Sequence, residues 1–170
     1  MAHNTGWKTP GTITNVDRGG SEEWVNPTNA DTLNDSYASV NITDAENFSD
    51  YLRASNFGFA LPTGATILGI EVRLLLYGSD PTLTDDAVLL YDESGVIGTE
   101  NRARDEVMSS KKGTARYNIY GSPTDLWNDT WTESNVEDTD FGWAFSAGYL
   151  GATNQNCFVN VMQMRVWYDE

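Results

Sequence analysis

Two residue types that carry much of protein chemistry are almost missing: the sequence has one cysteine, Cys157, and one histidine, His3. A lone cysteine closes no intramolecular disulfide, and its neighbours Phe158, Val159 and Val161 mark it as a small buried hydrophobe rather than a nucleophile. Any histidine-dependent triad would have to be built on His3, in a segment with no evident pocket. His3 and Cys157 together also fall short of the roughly three or four ligands that a zinc site needs. Positive charge is scarce as well: 10 Lys and Arg stand against 25 Asp and Glu, for a formal net charge of −15. Phosphate backbones and anionic bilayers are repelled by such a chain, so neither nucleic acid nor membrane is an expected partner. No apolar run approaches the ~20 residues of a membrane-spanning helix, and the opening MAHNTGWKTPGT lacks the apolar core of a secretory leader. Arg18-Gly19-Gly20 has the spacing of neither a P-loop nor a dinucleotide turn, and no cofactor is expected.

What is present is strand patterning. Over 65–77, Leu68, Ile70, Val72, Leu74 and Leu76 alternate with Gly69, Glu71, Arg73 and Leu75, which predicts a strand with one inward face. Glu71 and Arg73 on the other face point to an antiparallel sheet that meets water on one side. Over 158–168, Met162, Met164, Val166 and Tyr168 alternate with Gln163 and Arg165, predicting a second long core strand. Shorter strands are expected at 37–41, 51–60, 87–91, 115–120 and 141–147, each bounded by turn formers. The stretch 45–54 fits a strand entry better than a helical turn, and the polar, basic stretch 98–113 reads as a long loop. Seven or more short strands at this spacing indicate an all-β sandwich or barrel, and the expected fold is an antiparallel two-sheet sandwich. A chain of 170 residues suits one such domain. Residues 1–20, with scattered anchors at Trp7, Ile13 and Val16, are expected to form an extended N-terminal arm. That arm would dock on a neighbouring subunit or on the body of the domain formed by 21–170.

Acidic residues cluster at Asp80, Asp85 and Asp86, at Asp92 and Glu93, and at Glu137, Asp138 and Asp140. None has EF-hand spacing, and acidic loop residues are usually just solvated, so neither a calcium site nor a hydrolase's carboxylate pair is the expectation. Six tryptophans are generous for this length, and Trp127 and Trp131 fall close together in LWNDTW after Tyr117 and Tyr120. They could close one end of the core, anchor a subunit contact, or stack on a sugar ring. Trp7, Trp127, Trp131 and Tyr149 are the candidate contacts to another subunit or a glycan.

The run SDYLRASNFGFALPTGATILGIEVRLLLY, over 49–77, resembles a pattern of virion proteins of tailed bacteriophages, in which an FGF-type strand leads through a Pro-Gly turn into a GIEV-type strand. Trp24, Asn26, Pro27, Asn29 and Ala30 with Asp35, Tyr37 and Ala38 are similar upstream, as are Tyr120-Gly121, Leu126-Trp127, Trp131-Thr132 and Phe141-Gly142 downstream. The resemblance implies a jelly-roll-like sandwich of the capsid decoration, head-fibre or tail-fibre type, commonly trimeric. The function expected from it is that of a cement protein, not an enzyme, made in the host cytoplasm and carried on the capsid surface. Such a protein binds the major capsid protein and copies of itself and stabilises the shell. The alternative is a fibre module that binds a host-surface glycan.

Overall fold

In the computed structural model the described residues are 1–19, 22–43, 48–79, 83–108, 115–150 and 154–170. They form nine strands: β1 (His3–Asn4), β2 (Thr12–Val16), β3 (Ala38–Ile42), β4 (Tyr51–Ser55), β5 (Thr66–Gly78), β6 (Leu83–Tyr91), β7 (Arg116–Gly121), β8 (Gly142–Tyr149) and β9 (Gln155–Asp169). Two antiparallel sheets result, a four-stranded one in the order β2-β4-β8-β6 and a five-stranded one in the order β1-β9-β5-β7 with β3 also on β9. The fold is the all-β two-sheet sandwich that the patterning predicts, jelly-roll-like as the resemblance implies.

Alternation explains why the sheets close on each other. Ile70, Val72, Leu74 and Leu76 of β5, Met162, Met164 and Val166 of β9, Leu52 of β4, and Trp143 and Phe145 of β8 are all completely buried between the layers. Each such side chain contributes roughly 1.5–3 kcal/mol of transfer free energy. Cys157 is buried with them, and desolvation pushes its thiol well above the ordinary range, which suits a hydrophobe and not a nucleophile. At the start of β5 the pattern departs from expectation. The register shifts between Ile67 and Gly69, so Ile67 turns inward while Leu68 is only half-buried. An inserted residue reverses the parity of everything before it.

Residues 1–19 lie along the body of this same domain. β1 pairs with the end of β9, Lys8 bridges Met164, and β2 pairs with β4, so the extended segment gives one strand to each sheet. The expected strand 51–60 stops at Ser55. Asn56 enters the left-handed region, and Phe57 and Phe59 fold inward with their rings stacked 5.8 Å apart, so their alternation reflects a buried loop. β6 begins before position 87 despite its acids. Asp85, almost fully buried, accepts the backbone N–H groups of Arg104 and Glu106, which satisfies its charge inside the layer. The predicted loop 98–113 runs, over its described part, beside β6: Gly98, Arg102 and Met108 donate to Leu90, Val88 and Leu83. Residues 44–47 and 109–114 lie outside the described residues, and with them part of the strand entry and part of this loop.

Candidate functional site

The loop after β7 is shaped by Gly121, whose φ of +80° is open to glycine and whose missing β-carbon leaves room for the Ile70 carbonyl. The chain then folds down over β5. Trp127 and Asn128, each with φ near 57°, point the indole inward, where Nε1 donates to Ile70 O at 3.0 Å. Asp125 fixes this turn by accepting the Trp127 N–H at 2.8 Å, and it is itself held by two bonds from Arg102, of 2.8 and 2.9 Å. Burial alone would raise the Asp125 carboxyl, but hydrogen bonds from Arg102 and Trp127 N, with the arginine's charge, leave it below its usual value. Trp131 donates Nε1 to Leu126 O at 3.0 Å and meets Phe141 edge-on at 5.1 Å. The short helix that follows, α1 (Glu133–Glu137), is closed by a reciprocal cap between Thr132 and Asn135.

Trp127 is 3% exposed, Trp131 9% and Tyr149 7%. Stacking on a sugar requires an open ring face, so of the readings the sequence leaves open for these residues, the burial fits closure of the core. The edges of Trp127 and Trp131 do line a pocket of about 280 Å³, with Ile97, Glu100, Asn128 and Asp129 around it. The acidic clusters also have local tasks. Asp92 ties its own turn through Ser94 and Val96, and Glu137 and Glu133 accept the N–H groups of Leu61 and Gly64 at 2.5 and 2.6 Å. Among the described residues no group of three or more His, Cys, Asp or Glu is placed to hold a metal ion.

Trp7 does stand at the surface, half-buried, and it leads to a different site. The outer face of the five-stranded sheet is built from the residues of opposite parity to the core: Glu71 and Arg73 on β5, Tyr117 and Ile119 on β7, Gln163, Arg165 and Trp167 on β9. The Arg73 Cζ lies 4.2 Å from the Trp7 ring centre and 3.9 Å from that of Tyr117. The Arg165 Cζ lies 4.4 Å from Trp7 and 5.1 Å from Trp167. Guanidinium and aromatic groups thus alternate across three strands and the docked arm, with Trp7 shared by both arginines. Polar contacts fix the geometry: Arg165 Nε and Trp167 Nε1 both donate to Glu71 Oε2, at 2.6 and 2.5 Å, and Arg73 Nε donates to Gln163 Oε1 at 2.8 Å. Farther along the same face Tyr37, Tyr77 and Phe158 pack together, Tyr77 and Phe158 stacked at 4.8 Å and Tyr37 edge-on to both.

Trp7 is legible from the sequence as an anchor, but Arg73, Arg165, Trp167, Tyr117, Glu71 and Gln163 share no motif that marks them as a site. The available signal was parity. Once β5 and β9 are assigned inward faces, the remaining positions of each strand share one surface.

The fold and this surface define a β-sandwich with a rigid polar-aromatic face. No protein-family model matches the chain, and no curated protein does. Similar solved structures include one titled "CBM4 structure and function", at 14% identity over 94% of this chain and 93% of that one, with a TM-score of 0.45. Another is the N-terminal cellulose-binding domain of a β-1,4-glucanase C from Cellulomonas fimi, at 13% identity over 95% of this chain and 92% of that one, also with a TM-score of 0.45.

Proposed function

We propose that the protein is a glycan-binding β-sandwich module that mediates attachment to a host surface from the head or tail fibre of a phage particle. The observation that carries the binding role is the outer face of the five-stranded sheet. There Trp7, Tyr117 and Trp167 are held in fixed positions among the hydrogen-bonding groups of Arg73, Gln163, Glu71 and Arg165. A saccharide asks for this combination, apolar surface against its C–H groups and preplaced donors and acceptors in the plane of its hydroxyls. The paired strands beneath keep the entropic cost of ordering the site low. The virion setting rests on the resemblance of the run 49–77 to phage virion proteins.

The cement-protein expectation has loops and arm bind the capsid, with the arm itself docked on a neighbouring subunit or on the body of the domain. The second of these dockings is the one observed: residues 3–16 pair with β9 and β4 of their own domain, with Gly11 bonded to Asn56. Binding to a major capsid protein and assembly as a homotrimer are left to the resemblance alone.

The test is a glycan array followed by calorimetric titration of the strongest hits against the Trp167→Ala and Tyr117→Ala variants. Both side chains are half-buried on an outer face, so the fold should persist while affinity falls by about tenfold or more. Retention of no saccharide, together with tight binding to capsids lacking the protein, would refute the proposal.

A further inference from the structure

The two arginines of the outer face are not equivalent. Arg165 has a carboxylate, since its Nε meets Glu71 at 2.6 Å. Arg73 has none among the described residues. Its cross-strand neighbours are Gln163 on β9 and Ile119 on β7, both neutral, and its one side-chain hydrogen bond among the described residues goes to the Gln163 amide oxygen. Trp7 and Tyr117 cover the guanidinium, with ring centres 4.2 and 3.9 Å away. Desolvation by these neighbours lowers the Arg73 pKa, and the charge of Arg165 lowers it further, while Tyr117 acts in the opposite sense. The group stays cationic throughout the physiological range, as arginine does.

Cation–π contact compensates a guanidinium through its flat faces. It leaves the in-plane N–H groups unanswered, and for Arg73 the terminal Nη groups have no protein acceptor among the described residues. A planar oxyanion is what completes such an edge, through two parallel N–H···O bonds. In a chain with 25 acidic residues, a structural arginine is easily matched from within, as Glu71 matches Arg165.

We infer that the saccharide taken by this face is acidic, and that the in-plane edge of Arg73, sandwiched by Trp7 and Tyr117 and flanked by Gln163, receives a sugar carboxylate. The inference rests on the glycan-binding reading and adds the class of ligand. The net charge of −15 opposes an anionic ligand at long range. That repulsion is screened beyond about 8 Å at physiological ionic strength, whereas a contact pair in a half-buried setting is screened far less. Binding should therefore tolerate moderate salt.

The experiment titrates the full chain with a hexuronate oligosaccharide and with the same oligosaccharide after reduction of its carboxyl groups to neutral hydroxymethyls. Poly-glutamate serves as an acidic peptide control. The acidic form should bind about tenfold or more tightly than the reduced form, and Arg73→Gln should abolish that difference, costing the acidic form about tenfold more affinity than it costs the reduced form. Thermal unfolding of the variant verifies that the sandwich persists. Equal affinity for the two sugars, or a preference that survives Arg73→Gln, overturns the inference and leaves the glycan reading standing. Failure of both sugars to bind removes both, and binding of poly-glutamate in their place assigns the face to a protein ligand and overturns the inference.

Discussion

The indole of Trp7 is shared by Arg73 and Arg165, whose Cζ atoms lie 4.2 and 4.4 Å from its ring centre. One side chain of the amino-terminal segment is thereby fastened to two strands of the five-stranded sheet, and its flanking backbone follows: Thr5 and Lys8 donate to Val166 and Met164 at 3.1 and 2.8 Å.

Trp7→Ala should release that segment. Each cation–π contact is worth about 0.5–1 kcal/mol, so the expected loss is roughly 1–2 kcal/mol, concentrated locally. Amide hydrogen exchange at Thr5, Lys8 and Met164 should speed up well beyond that of the β4–β8 ladder. Unchanged protection at these three amides would show that the β1–β9 pairing holds the segment without the indole.

Acid stability should depend on Asp125. Its carboxyl titrates lower in the folded protein than in the unfolded chain, where an aspartate sits near about 3.9. The stabilisation is therefore complete above that unfolded value and lost as pH falls through the folded one. Arg102 and Asp125 are about a quarter exposed, at 26% and 22%, so solvent screening limits the contribution to about 1 kcal/mol. Urea midpoints measured from pH 2 to 7 should show Asp125→Asn less stable at neutral pH, with a shallower decline on the acid side. Parallel curves for the two proteins would contradict this.

Trp127→Phe keeps an aromatic ring but removes the donor to Ile70 O, leaving a carbonyl without its partner in the core. A cost of about 1–3 kcal/mol is expected. Trp131→Phe, whose lost acceptor Leu126 O belongs to a half-buried loop residue, should cost less. The order of the two melting temperatures decides the matter, and reversal would mean that ring packing outweighs the hydrogen bond.

Period-two alternation in β5 and β9 was readable because both strands bury one face and wet the other, and it predicted the layered core directly. The bulge at Leu68 was not, since register depends on the partner strand and not on local sequence. The tryptophans show the same limit. In a polar loop Trp127 and Trp131 could face the core or the solvent, and it is the left-handed backbone at Trp127 and the room left by Gly121 that turn the first inward. The outer-face site was invisible as a motif because Glu71 and Arg165 are 94 positions apart and meet only when two strands pair. Along the sequence they stand apart, each on the polar side of its own stripe.

The Met1 ammonium lies 2.5 Å from Asp169 Oδ1, so the chain's two ends leave from one rim of the sandwich. Because β1 runs antiparallel to β9 there, tension applied between the ends loads the pairing like a zipper, one link after another. The ammonium contact yields first, then the His3–Tyr168 and Asn4–Trp167 rungs, and the pull reaches Trp7 only afterwards. Pulled from its ends, the domain would peel stepwise from that rim, whereas β4 and β8 lie in the other sheet, away from the first rungs.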